Sequence, residues 1–138
     1  MDKPNDWNKR VIEEFRANGG QVGGRYENIN LLLIHTTGAK SGKPRLNPVA
    51  YMMDGDRYVI IASKRGAPTN PDWYHNLVAL PKVTIEVGTE TVQARAEVVP
   101  EPERSELYAR MAAKYPAFAE YERRTERIIP VIVLSRLS

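Results

Sequence analysis

The chain has 138 residues, 42% apolar and 27% charged, with no cysteine and a formal net charge of +3. That length suits one ordinary domain with a real core. The composition excludes a coiled coil, a collagen-like chain or a disordered tail. It also excludes a disulfide framework, thiolate-bound zinc, an iron–sulfur cluster and a cysteine nucleophile.

The charge is unevenly placed. Between residues 38 and 66 six basic residues (Lys40, Lys43, Arg45, Arg57, Lys64, Arg65) stand against Asp54 and Asp56, whereas the rest of the chain holds 14 basic and 15 acidic residues. The basic excess therefore lies in one stretch, which points to an anionic partner. No window is long and apolar enough to span a bilayer. The polar start, Met1 to Asp6, has no signal-peptide core, so a cytoplasmic protein is expected.

In chain order, residues 5–18 read as a helix, with Trp7, Val11, Ile12 and Phe15 on one face and Gly19-Gly20 as its stop. A glycine-rich connection follows. Residues 29–36 form an apolar strand, 38–44 a loop, 45–53 a second strand carrying Pro48, and 57–62 a third strand reached through an Asp54-Gly55 turn. Pro48 implies an edge or a bulge. A second loop covers 63–70. Asn70-Pro71 opens a short helix to about residue 79. Strands at 82–87 and 91–99, helices at 102–114 and 117–126, and a strand at 128–134 complete the chain. Six strands with hairpin-length connections imply a small antiparallel barrel that closes its own edges.

Three stretches carry chemistry. Gly38-Ala39-Lys40-Ser41-Gly42-Lys43-Pro44-Arg45 suits an anion, because glycines let backbone N–H groups approach and the cations supply countercharge. It lacks the spacing of a nucleotide-binding P-loop. Ser63-Lys64-Arg65-Gly66-Ala67 follows a strand end. If the second and third strands pair through the Asp54-Gly55 turn, Arg45 and Ser63 are equidistant from it and the two basic loops form one anion pocket. Asp72-Trp73-Tyr74-His75-Asn76 begins a helix directly after the second loop. Its free N–H groups suit an anion, and Trp73 and Asn76, three apart, could hold a planar ligand. Solvated loops and ordinary core packing are the competing explanations for each. His35 and His75 lack carboxylates at ligand spacing, so no metal site is expected. Aromatics at Tyr115, Phe118 and Tyr121 recur every third residue and suit a cleft wall or a packed helix face. The run Glu122 to Arg127 reads as a solvated, mutually paired surface.

Thr36-Thr37-Gly38-Ala39-Lys40-Ser41-Gly42-Lys43-Pro44-Arg45-x-Asn47-Pro48, Ala62-Ser63-Lys64-Arg65-Gly66-Ala67, Asn70-Pro71-x-Trp73-Tyr74-x-Asn76-Leu77, and Tyr115-Pro116 through Tyr121 to Arg127-x-Ile129-Pro130-Val131 together resemble the deazaflavin (coenzyme F420)-dependent nitroreductase and quinone reductase family. The resemblance runs from about residue 29 to 135. It implies a split β-barrel with flanking helices, the fold of flavin reductases and pyridoxamine oxidases, and hydride transfer from reduced F420 to a quinone or similar planar acceptor. It also implies roles. Lys40, Ser41, Lys43 and Arg45 would hold the cofactor's phosphate and oligoglutamate tail. Ile61, Ala62, Ser63 and Lys64 would line its ring, and Trp73, Tyr74 and Asn76 would close the pocket. Gly42, Pro44, Pro48, Gly66, Ala67 and Asp72 fall in the same cofactor-binding stretches. Tyr115, Phe118 and Tyr121 would face the second substrate, with Ser63 and Tyr121 as the polar contacts nearest the chemistry. Ala39 and Arg65 depart from the family pattern, as does Phe118, where nitroreductase members carry tyrosine. Quinone reduction is the expectation that this last change affects least. An FMN-dependent oxidoreductase of the same fold, a non-catalytic carrier of F420 or another small molecule, and nucleic-acid binding through the basic loops are the alternatives. The N-terminal helix is expected to cover the cleft or touch a membrane surface.

Overall fold

In a computed structural model the described residues are 4–137, with side chains described from residue 8 onward except at residue 25, so the place of Trp7 on its helix face lies outside the described residues. Seven strands make one antiparallel sheet: β1 (Leu31–Thr37), β2 (Pro44–Ala50), β3 (Met52–Asp54), β4 (Arg57–Ile61), β5 (Lys82–Val87), β6 (Glu90–Val98) and β7 (Val131–Arg136). Four helices flank it: α1 (Pro4–Ala17), α2 (Asp72–Ala79), α3 (Glu103–Lys114) and α4 (Ala117–Arg123).

The strand order is β2-β1-β5-β6-β7-β4-β3. Its two ends, β2 and β3, are neighbours in the chain, joined only through Tyr51. A single stretch thus leaves one edge of the sheet and enters the other, which curls the sheet into a barrel. The continuous strand expected over 45–53 is therefore two strands. Its first half pairs with β1 (Arg45 opposite Thr36, Pro48 opposite Leu33) and its second half with β4 (Met52 opposite Val59). The corner is pinned by hydrogen bonds. Tyr51 N–H donates to the Asn30 carbonyl at 2.9 Å. The Tyr115 hydroxyl accepts from Asn30 N–H at 3.0 Å and donates to the Tyr51 carbonyl at 3.3 Å.

This topology corrects the expectation that Arg45 and Ser63 meet across a hairpin. The hairpin at Gly55 joins β3, not β2, to β4. The last strand also begins later than expected, at Val131, because Pro130 has no N–H to give a ladder.

The apolar runs lack polar alternation because both faces of the sheet are covered. In β1, Leu32 and Ile34 point into the barrel with Tyr58, Ile60, Ile85, Ile132 and Leu134, and α2 contributes Trp73 and Leu77. Leu31 and Leu33 point outward and meet Val11 and Phe15 of α1. On another outer face, Val59, Ile61, Val131 and Val133 pack against Leu107, Met111, Tyr115 and Phe118 of the α3–α4 region. The apolar face of α1 is thus spent on the barrel: Phe15 is 1% exposed. After α1, Gly20 N–H bonds back to the Phe15 carbonyl at 2.8 Å. A Cβ at Gly20 would stand 2.7 Å from Gly88 Cα, so only glycine lets this turn touch the β5–β6 hairpin.

Candidate functional site

Two cavities adjoin α2. The first, of about 230 Å3, has Leu31, Val49, Ile61, Trp73 and Phe118 as apolar walls and Ser63, Lys64, Arg65 and Tyr121 at polar positions, with Pro48 on one side. The second, of about 320 Å3, is lined by Gly38, Ala39, Lys40, Ser41, Arg45, Asp72, His75 and Asn76. Trp73 borders one cavity and Asn76 the other, one helical turn apart on α2. Pro48 and Arg45 divide in the same way along β2. The five cations expected in one pocket are therefore distributed: Lys64 and Arg65 at the first cavity, Lys40 and Arg45 at the second, and Lys43 lining neither.

Charge accounting separates these cations from the rest of the basic stretch. Arg57 is committed, bonding Asp54 and Glu103. Lys40, Lys43, Arg45, Lys64 and Arg65 form no ion pair with any described residue. Their field is available to a ligand.

Each basic loop has a shape that depends on one side chain. In the first, Gly38 N–H donates to the Lys43 carbonyl at 2.8 Å, and Ser41 Oγ accepts from Lys43 N–H at 3.2 Å. Asn76, 6% exposed, ties this loop to α2. Its Oδ1 accepts from Ala39 N–H at 2.9 Å and its Nδ2 donates to Thr36 Oγ1 at 3.1 Å. Both ends of the Asn76 amide are thus engaged within the protein, which fixes where Lys40 and Ser41 stand.

The second loop carries backbone strain. Ser63 is right-handed (φ −75°, ψ −39°), while Lys64 (φ 48°) and Arg65 (φ 56°) are left-handed without being glycine. Such conformations are costly and concentrate where function demands them. A right-handed residue followed by a left-handed one presents successive N–H groups to an anion or a partial negative charge. Gly66 follows at φ 82°, and a Cβ there would stand 2.7 Å from the Tyr121 carbonyl, so α4 seats directly on the loop. That contact carries Phe118 and Tyr121 to the cavity wall. Behind the wall, the Tyr108 hydroxyl donates to the Phe118 carbonyl at 2.6 Å, and burial pushes that phenol up to about 12.

Other expected residues lie outside the two cavity walls. Tyr115 is buried and serves the β2–β3 corner through its hydroxyl. Tyr74 packs edge-on to His75. Ala62, Gly66 and Ala67 shape the second loop, Gly42 the first, and Pro44 lines a shallower groove between α1 and β2. Three positions went unread in the sequence. Asn8 and Tyr26 line the first cavity because α1 and the turn after it fold over the β1–β2 hairpin. Arg127 is not part of a mutually paired surface: it is half-buried and bonds four acceptors of the second loop.

The arrangement fits a planar, largely apolar ring carrying an anionic chain. The ring would lie by Trp73, Ile61 and Ser63, and the chain would run toward Lys40 and Arg45. Among the described residues no cluster of histidine and carboxylate side chains could hold a metal ion.

Comparison with known proteins identifies the family. The family model described as F420H(2)-dependent quinone reductase matches residues 7–136. The chain is 40% identical over 126 residues to the F420H(2)-dependent quinone reductase of Mycobacterium tuberculosis, covering 88% of this chain and 85% of the relative. A solved structure described as an F420-H2 dependent reductase superposes with a TM-score of 0.69 at 36% identity, covering 76% of this chain and 93% of the other. The heme storage protein HutZ from Vibrio cholerae shares the fold at 17% identity and a TM-score of 0.61, covering 95% and 91%. With a split-barrel fold and a family match over nearly its whole length, the chain belongs to the F420H2-dependent quinone reductase family.

Proposed function

We infer that the two adjoining cavities take reduced F420 and a quinone-like planar acceptor, and that the protein passes a hydride between them. The observation that carries this reading is an apolar, ring-sized wall with Lys64 and Arg65 beside it and Lys40 and Arg45 at the neighbouring cavity, none of them in an ion pair with a described residue. FMN, with a phosphate but no long anionic tail, would use fewer of them. When bound, the deazaflavin supplies a hydride from carbon 5 of its reduced ring.

The protein's part is positional and electrostatic. Trp73, Ile61, Val49 and Phe118 exclude water from the ring site. Lys40 and Arg45 meet the anionic chain, with Ser41 as a hydroxyl partner. Ser63 and Lys64 offer N–H groups to the polar edge of the ring. The Ser63 and Tyr121 hydroxyls, both at the first cavity, would supply a hydrogen bond, or a proton for a reduced quinone oxygen. Asn8 and Tyr26 close the opposite side, so α1 acts as a cover to the cleft rather than a lipid-facing helix. No described helix is long and apolar enough to cross a membrane. We place the protein in the cytoplasm, taking its acceptor from solution or from a membrane surface.

The test is anaerobic oxidation of F420H2 by the purified protein with a soluble naphthoquinone. Quinone-dependent oxidation, with one quinone reduced per F420H2, is expected. Cofactor binding without turnover across several quinones would instead support a carrier.

A further inference from the structure

The guanidinium of Arg127 is inserted behind the strained loop. Its Nε donates to the Ala67 carbonyl at 2.7 Å, Nη1 to the Ala62 carbonyl at 3.3 Å and to Asn70 Oδ1 at 2.7 Å, and Nη2 to the Ser63 carbonyl at 2.7 Å. No described carboxylate pairs with it, and burial lowers its pKa from the usual arginine value. Partly burying a cation without a counter-ion costs free energy unless its donors are met. Here they are met by the loop that lines the ring cavity.

The direction of these bonds matters. In a trans peptide unit the C=O of one residue and the N–H of the next point opposite ways. By holding the Ala62 and Ser63 carbonyls, Arg127 turns the N–H groups of Ser63 and Lys64 away from itself. Ser63 and Lys64 both line the first cavity. The planar fork suits this task because it reaches several carbonyls in fixed geometry, which an ammonium group cannot do.

Resting on the F420 reading above, we propose that Arg127 is a positioning residue that sets the strained Ser63–Lys64–Arg65 turn and directs the Ser63 and Lys64 N–H groups, with their partial positive charge, at the polar edge of the bound ring. It touches neither cofactor nor acceptor. It acts through the loop, and Lys64 and Arg65 hold left-handed conformations because four bonds outweigh the strain.

The experiment compares wild type, Arg127→Lys, Arg127→Gln and the milder Asn70→Ala. The first readout needs no cofactor. Gly66 and Ala67 N–H groups bond within the loop to the Ser63 and Lys64 carbonyls at 2.9 and 3.0 Å. Their hydrogen exchange should accelerate in all three variants while exchange in β6 and β7 stays slow. In wild type, adding F420 should shift the Ser63 and Lys64 amide resonances. Both Arg127 variants should lose those shifts but keep the one at the Trp73 indole. Catalytic efficiency toward F420H2 should fall about tenfold to a hundredfold in both Arg127 variants, the loss expected of a misplaced binding group. Millimolar guanidinium should restore part of it in Arg127→Gln. Wild-type kinetics in Arg127→Lys would overturn the proposal, because charge alone would then suffice. Unchanged loop exchange in the variants would overturn it too. If Arg127→Gln does not fold, Asn70→Ala must still show faster loop exchange and lower efficiency, or the proposal falls. Failure of wild type to bind F420 would instead refute the cofactor reading, leaving the exchange experiment to judge the loop alone.

Discussion

Replacing Asn76 by alanine isolates the fastening of the first basic loop. The side chain is buried and makes two hydrogen bonds, to Ala39 N–H and to Thr36 Oγ1. Each is worth about 0.5–1.5 kcal/mol, and stranding a polar partner out of reach of water adds to the loss. A total of about 1–3 kcal/mol follows, since Ala39 lies at the surface and water can replace the amide there. For a chain of this length that is a fall of roughly 3–10 °C in Tm. The same change frees residues 38–43, so Lys40 and Ser41 must be ordered when the ligand binds. Calorimetry and an F420 titration on the same preparation should therefore show lower stability and weaker binding together. At saturating F420H2, kcat should stay close to wild type, because Asn76 does not reach the ring cavity. Weaker binding with unchanged Tm would mean that Asn76 contacts the ligand itself. Lower Tm with unchanged affinity would mean that the loop takes no part in binding. Either result would refute the reasoning.

Other outcomes follow from the same geometry. Gly66→Ala places a methyl group 2.7 Å from the Tyr121 carbonyl and 2.8 Å from Arg124 Cβ at a left-handed position, and should cost about 1–3 kcal/mol by chemical denaturation while raising the quinone KM through displacement of α4. Lys40→Gln with Arg45→Gln should weaken F420 binding and flatten its salt dependence, with far less effect on a deazaflavin that lacks the anionic chain. Phe118→Tyr restores a hydroxyl to the cavity wall and should add nitro-compound reduction while leaving quinone turnover within a few-fold. Glu86 is held below the usual carboxylate range first by the Arg16 hydrogen bond and then by that of His35. Its contribution to docking α1 is complete above the unfolded glutamate value, near pH 4.3, and is lost as pH falls through the lower folded one. Arg16→Gln should reduce this acid sensitivity in a Tm-against-pH series.

Local signals carried most of the elements, and the errors lie where tertiary structure decides. Helical periodicity located α1, continuous apolar runs β1 and β4, alternation β5, and Pro102 the start of α3, each to within about two residues, because these signals are local. The division of 45–53 into β2 and β3 has no local mark. It arises from barrel closure, and the groups that pin it, Asn30 and Tyr115, lie 21 residues before Tyr51 and 64 after it. The same closure puts Arg45 and Ser63 in the linings of different cavities. The basic stretch points to an anionic partner, but only the ion pairs of Arg57 show which of its cations are committed. Arg127 was hidden among charges that pair on the surface, since its partners are carbonyls, which a sequence does not display. Asn8 and Tyr26 enter the site by the path of α1, a long-range fact. Left-handed Lys64 and Arg65 were unreadable for the opposite reason: their local preference runs against the conformation, and Arg127 overrides it.

The central claim is that the uncommitted cations and the apolar wall together select F420. The most direct measurement is a tryptophan fluorescence titration, in a Trp7→Phe background that leaves Trp73 as the emitter, with F420 and, separately, with FMN, at low and high salt. Trp73 lines the ring cavity and should report either ring. The account predicts saturable F420 binding that weakens as salt rises, and much weaker FMN binding. Equal or tighter binding of FMN, or F420 binding indifferent to salt, would contradict it.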